Sequence, residues 1–278
     1  MTQKVVVMTD ASSGIGEVAA DRLAAKGARI VFVARDRSRG EETLKHLQAI
    51  APGAEHKAHY ADLTRVAEMK RVAAEIAESE PEIDILLNNA GALFNARKLT
   101  EDGLEMTFAL NHMAYFVLTN LLRPRLAAGA RIVSTASDAH KGAQLDFTDL
   151  QSERNYSGFG AYGRSKLCNI LFTRELARHL KDAGVTANCL HPGFVATRFG
   201  DQSGGVMSLA VRAAKTFAIM PEQGAQTIVY LASSPEVAEI TGGYFYKCHQ
   251  ATPTREAQND DDARRLWEAS ARIADIAA

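Results

Sequence analysis

The chain has 278 residues, 46% of them hydrophobic, enough for one large core spanning residues 1–278. Thirty-two Lys and Arg face 33 Asp and Glu, and the resulting net charge of −1 gives no indication of nucleic acid as a partner. Three widely spaced cysteines, Cys168, Cys189 and Cys248, argue against a disulfide framework, and no cluster of His, Cys, Asp and Glu reads as a metal site.

Lys4-Val-Val-Val-Met8 is a short apolar run with β-branched residues, and it predicts a buried strand near 3–8. Because that strand begins so near Met1, neither a signal peptide nor a membrane anchor is expected. No apolar run reaches about 18 residues, so no transmembrane helix is expected either, and the predicted location is cytoplasmic. Thr9-Asp-Ala-Ser-Ser-Gly-Ile-Gly16 reads as a tight turn, followed by a helix over 15–26 that stops at Gly27. Further strands are predicted near 28–34, 55–60, 83–87, 130–135, 185–190 and 241–246. Helices are predicted at 38–49, 65–79, 101–126, 159–182 and 222–233. His56 and His59 form a His-x-x-His pair, whose alternation near a strand predicts surface positions. The alternation of elements predicts an α/β fold: a single Rossmann-type, doubly wound parallel sheet of about seven strands with helices on both faces. Ligands of such sheets bind at the carboxyl ends of the strands.

Strand, Ser/Gly turn and helix together suit a dinucleotide. Helix N-terminal N–H groups point at a pyrophosphate, and the missing side chains of Gly14 and Gly16 let it come close. The second strand, Val31-Phe-Val-Ala34, ends without the acid expected to hold ribose hydroxyls, and Arg35 follows. A guanidinium there can pair with a 2′-phosphate, which favours NADP (NADPH) over NAD. Farther on, Tyr162 and Lys166 lie one helical turn apart, so an ammonium can sit beside a phenol. A tyrosine needs about three units of pKa shift, roughly 4 kcal/mol, to work near neutrality, and a nearby positive charge can supply much of that.

Taken together, these residues resemble the short-chain dehydrogenase/reductase family, over nearly the whole chain. The resemblance makes Ser12, Ser13, Gly14, Ile15 and Gly16 the cofactor-binding turn. It makes Asp62, with Leu63, the contact to adenine, and Asn89, Ala90 and Gly91 part of a segment supporting the central sheet. Asn111, Ser137, Tyr162 and Lys166 resemble the catalytic four, with Tyr162 and Lys166 also holding the nicotinamide ribose. Pro192, Gly193, Val195 and Thr197 resemble the nicotinamide-binding stretch. Ser137 and Tyr162 are 25 positions apart, and the insert from Lys141 to Gly158 resembles the retinol-dehydrogenase-like branch. The tail Gly242-Gly-Tyr-Phe…Cys248…Leu266-Trp-Glu…Ser270 resembles that branch too.

The resemblance implies interconversion of an alcohol and a carbonyl on a small-molecule substrate. Tyr162 would be the general acid/base, Ser137 would bond the substrate oxygen, and Lys166 would lower the Tyr162 pKa. Asn111 would hold a water linking Lys166 to solvent. Ser134 and Thr135 rival Ser137 on sequence alone; alignment with the family favours Ser137. Residues 198–220, Gly-rich and then apolar, suit either a lid over a hydrophobic substrate, with Phe94 and the 141–157 insert as further walls, or a stripe packed on the body or a second subunit. One departure stands out: Asp10 replaces the first glycine of the turn. Its carboxylate either caps the turn by accepting N–H groups or weakens cofactor binding. If the latter, the chain would be a dinucleotide-binding protein with a regulatory or interaction role and little turnover. Apolar helices 101–126 and 159–182 suit the faces of a homodimer or homotetramer.

Overall fold

A computed structural model describes residue 1, residues 3–193 and residues 220–277. Val195, Thr197 and the expected lid up to residue 219 lie outside the described residues. The first strand, β1 (Val5–Thr9), leads into α1 (Gly14–Ala25), and β2 (Arg29–Ala34) into α2 (Arg37–Ile50). The next units are β3 (Lys57–Tyr60) with α3 (Val66–Ser79), and β4 (Ile83–Asn88). A short α4 (Met106–Phe108) passes through a π-helical stretch, Ala109–Met113, into α5 (Ala114–Leu122). After these come β5 (Leu126–Thr135), α6 (Gly158–His179), β6 (Thr186–Leu190) and α7 (Pro221–Ser233). The chain ends on β7 (Tyr244–Tyr246), β8 (His249–Ala251) and α8 (Asp260–Ala274).

Among the described residues the strands form one sheet in the order β3-β2-β1-β4-β5-β6-β7-β8, parallel except for the final β7–β8 pair. The order reverses beside β1, which pairs with β2 on one side and β4 on the other. A ligand crevice therefore opens at the carboxyl end of β1. Both sheet faces are covered, as the near-continuous apolar strands require. Val7 points into one core with Met69, Phe116, Leu171 and Trp267, while its neighbours Val6 and Met8 point into the opposite core with Leu23, Phe32 and Ile228.

Several sequence expectations are corrected. The helix expected over 101–126 is shorter at both ends. Glu105 caps it, its carboxylate accepting from the N–H groups of Thr107 (2.8 Å) and Phe108 (2.9 Å). Before it, Thr100 to Gly103 form a turn, and after it Pro124 sits in a 3-10 turn from which β5 starts at Leu126. His56 is buried rather than on the surface, and its Nδ1 accepts from the Ile30 N–H at 3.0 Å. His59 is half-buried against Glu75. The eighth strand was not anticipated. It turns back through Lys247 and Cys248, both at positive φ, which a tight hairpin turn demands at its two central residues.

Helix α8 was not anticipated either, although its signals are present. Asn259 caps it by accepting from Asp261 N–H (3.0 Å) and Asp262 N–H (3.2 Å), and three aspartates fill its first turn. Its buried face seats Trp267 among Phe116, Phe172 and His179, with ring centroids 4.9, 5.8 and 4.2 Å away. Behind it, Ser270 Oγ meets His112 Nε2 at 2.8 Å, two buried polar groups satisfying each other. Trp267→Ala should therefore cost about 3–5 kcal/mol in urea unfolding. A loss below about 1 kcal/mol would show that α8 is not part of the cooperative core.

Candidate active site

The turn after β1 is shaped for close approach. A Cβ at Gly16 would lie 1.9 Å from the Asp10 carbonyl oxygen and 2.6 Å from Asn89 Nδ2, so glycine alone fits. Gly14 has φ +57° and Asp10 φ +58°, both left-handed. Ser13 is the N-cap residue of α1, yet its side chain makes no cap bond; its hydroxyl turns to the Asp10 carboxylate at 3.4 Å. The first N–H groups of α1 thus lack a side-chain cap, as an anion-binding helix end requires. A dinucleotide pyrophosphate fits this cradle of glycines, hydroxyls and N–H groups. Asp10 departs from the simple cap: it engages Ser12 Oγ (3.3 Å) and Ser13 Oγ as well as the Ser12 backbone. Burial raises its pKa, against the lowering effect of those bonds and of the Arg35 charge.

β4 fixes the opposite wall. Thr9 Oγ1 accepts from both Asn89 N–H and Ala90 N–H at 2.9 Å, and Asn89 Oδ1 accepts from Thr135 Oγ1 at 3.1 Å. One residue earlier, Asn88 Nδ2 donates to Thr119 Oγ1 at 2.9 Å inside the core. Asp62, just past β3, holds its own turn by accepting from Thr64 N–H (3.0 Å) and Thr64 Oγ1 (2.8 Å), and Leu63 is buried. Arg35 is exposed beyond the end of β2. Pro192 and Gly193 follow β6, where the Gly193 N–H donates to His191 Nδ1 at 3.3 Å.

The π-helical stretch aims Asn111 across the site. Its Oδ1 accepts from Ala92 N–H at 2.9 Å, and its Nδ2 donates to Ala92 O (3.0 Å) and Ser165 Oγ (2.9 Å). The side chain is therefore a clamp between the loop after β4 and α6. Ser137 lies just past β5, and its hydroxyl hydrogen-bonds Tyr162. Its rivals point elsewhere: Ser134 is buried toward Asn88, and Thr135 Oγ1 is spent on Asn89.

Lys166, 3% exposed, donates from Nζ to the Thr135 carbonyl at 2.9 Å. Nζ also lies 5.6 Å from the Tyr162 ring centroid and 5.7 Å from that of Tyr115. Burial brings the ammonium down to about 7. Burial also pushes the Tyr162 phenol up to about 12, opposed by its bond to Ser137.

Two features escaped the sequence. Tyr115 is fully buried beside Lys166, with a hydroxyl that has no hydrogen-bond partner among the described residues. It lies four residues beyond Asn111, a spacing indistinguishable from core packing. His140, Asp138 and His191 form a shell under Ser137. His140 Nδ1 lies 2.7 Å from the Ser137 carbonyl oxygen, and His191 stacks on Tyr246 with centroids 4.0 Å apart. The 141–157 insert docks on the loop after β4 through Tyr156, whose hydroxyl donates to Phe94 O at 2.7 Å. No group of three metal-binding side chains occurs among the described residues, and none of the described helices is long and apolar enough to cross a membrane.

The short chain dehydrogenase family model matches residues 4–205. Human retinol dehydrogenase 13 is 39% identical over 99% of this chain and 86% of its own length. Human retinol dehydrogenase 14 is 40% identical, covering 97% of this chain and 86% of its own. A crystal structure of a protein from Mycobacterium paratuberculosis superimposes with a TM-score of 0.80 at 30% identity, over 99% of this chain and 94% of that one. A short chain dehydrogenase from Burkholderia cenocepacia, solved in complex with NADP, gives a TM-score of 0.71 at 28% identity, over 87% and 95%.

The depressed Lys166 value has a consequence for stability. Between about 7 and the ordinary lysine value of 10.5 the unfolded chain holds this proton and the folded chain releases it. Stability therefore rises with pH across that window and is lost as pH falls through it. Urea unfolding should show wild type gaining stability between about pH 7.5 and about pH 9.5, and Lys166→Met should flatten the gain. Equal slopes in the two proteins would mean that the folded lysine keeps its proton.

Proposed function

The chain belongs to the short-chain dehydrogenase family, and from that premise we propose that it is an NADP(H)-dependent oxidoreductase interconverting a hydrophobic alcohol and its carbonyl compound. The observation that carries the reading is the bond between Tyr162 and Ser137 with Lys166 beside them, at the strand ends that also hold the glycine turn. The chemistry a bound nicotinamide supplies is hydride transfer to or from the substrate carbon.

The remaining steps belong to the protein. In reduction, the Tyr162 O–H gives its proton to the substrate oxygen as that oxygen gains charge. Ser137 donates a hydrogen bond to the same oxygen and stabilises the charge. Lys166, with its value near 7, exchanges protons at neutral pH and restores the tyrosine proton. Asn111 positions Lys166 by clamping the preceding residue, Ser165, to the loop after β4. Arg35 favours the 2′-phosphate of NADP, with no acid at the end of β2 to hold ribose hydroxyls instead.

The substrate class rests on the rim. Phe159, on the first turn of α6 and three residues before Tyr162, is 59% exposed. An exposed aromatic beside a reacting tyrosine suits an apolar molecule. Relatives named for retinol support an apolar alcohol without narrowing it to retinoids.

With NADPH supplied, turnover should favour bulky apolar carbonyls over small polar ones. Tyr162→Phe should lower kcat at least about 10³-fold while leaving NADPH affinity in place. Retained turnover in Tyr162→Phe would remove the tyrosine from the mechanism. Arg35→Ala should weaken NADPH binding about tenfold or more and barely change NADH binding. Equal losses would assign cofactor choice elsewhere.

A further inference from the structure

Asp10 stands where the resembled turn carries glycine, and it keeps a glycine-like backbone at φ +58°. Aspartate and asparagine tolerate that region better than most other side chains, so what this residue changes is the side chain and its charge. The carboxylate meets the Ser12 backbone, Ser12 Oγ (3.3 Å) and Ser13 Oγ (3.4 and 3.5 Å); the hydroxyl contacts are longer than ordinary hydroxyl bonds, and burial penalises its charge.

The strand register places that charge. Thr9 of β1 pairs with Val33 of β2, and the Asp10 N–H donates to the Val33 carbonyl at 3.1 Å. Asp10 is therefore level with Ala34, one residue before Arg35, and near enough for the Arg35 charge to act on it. In dinucleotide-binding sheets the end of the second strand is where an acid takes the adenosine ribose hydroxyls. Here β2 ends in Ala34-Arg35, and a carboxylate stands instead at the end of the neighbouring strand.

We propose that Asp10 is a cofactor-specificity residue, whose carboxylate accepts hydrogen bonds from the adenosine ribose hydroxyls and repels a 2′-phosphate, in opposition to Arg35. The two side chains pull in opposite directions, so the site takes NADH as well as NADPH with only a narrow preference. The inference rests on the dinucleotide reading given above and refines its choice of cofactor. A carboxylate near a multiply charged phosphate in a partly screened site costs roughly tenfold in affinity. An uncharged residue at position 10 removes that cost, and a ribose without the phosphate loses an acceptor.

The test is titration of wild type, Asp10→Asn and Asp10→Gly with NADPH and, separately, NADH, followed by nicotinamide fluorescence. Both replacements adopt the left-handed backbone, and thermal unfolding checks that each variant is folded. Both should tighten NADPH on the order of tenfold, and Asp10→Gly should weaken NADH severalfold. Equal shifts for the two dinucleotides, or none, would overturn the specificity role while leaving the dinucleotide reading intact. No binding of either dinucleotide to any of the three folded proteins would overturn both.

Discussion

The site depends on one buried ammonium. Lys166 Nζ sits between the Thr135 carbonyl, at 2.9 Å, and the backbone of Gly91, where a Cβ would approach it to 3.3 Å. Among the described residues no carboxylate offsets the burial, and desolvation lowers its proton affinity far more than it would at a surface. Such a group stays in place only if everything around it is fixed. The Thr135 carbonyl belongs to the last residue of β5, and Asn169 Nδ2 also donates to it at 3.2 Å. The segment leading into Gly91 is held where Thr9 Oγ1 accepts from the N–H groups of Asn89 and Ala90. Asn111 closes the third side, since Ser165 accepts from its amide and in turn donates to the Tyr162 carbonyl at 2.7 Å. The π-helical stretch is the local cost of aiming that asparagine, and such stretches often mark functional positions.

Much of this was legible because it is local. Short apolar runs, the helix stop at Gly27 and the Tyr162–Lys166 spacing depend on neighbours in sequence, and most of the elements they mark formed close to where they were read. What was not legible depends on contacts made at a distance. His56 is buried because its ring accepts from Ile30, 26 residues away, a partner no local pattern reveals. Helix α8 is polar over much of its length, and its Trp267 gains meaning only against Phe116 and Phe172. The engagement of Asn111 by the Ala92 backbone needs the loop after β4 folded against it. Asp10 lies between the two kinds. Its oddity is visible in the sequence, but its nearness to Arg35 follows only from the pairing of β1 with β2.

The sheet also separates stability from chemistry by its two ends. At the amino ends of β2 and β3, Arg29 and Lys57 converge on Glu80, which is 1% exposed and paired with both. Removing either partner would strand a buried carboxylate. At the carboxyl ends the logic reverses. Among the described residues Lys166 has no counter-charge and the Tyr115 hydroxyl no partner, and Asp10 holds its hydroxyls at long range. Each group is left short of what it would take to settle it. A substrate oxygen, a ribose or a phosphate arriving at that edge finds polar groups with bonding capacity to spare, which a fully satisfied end would not offer.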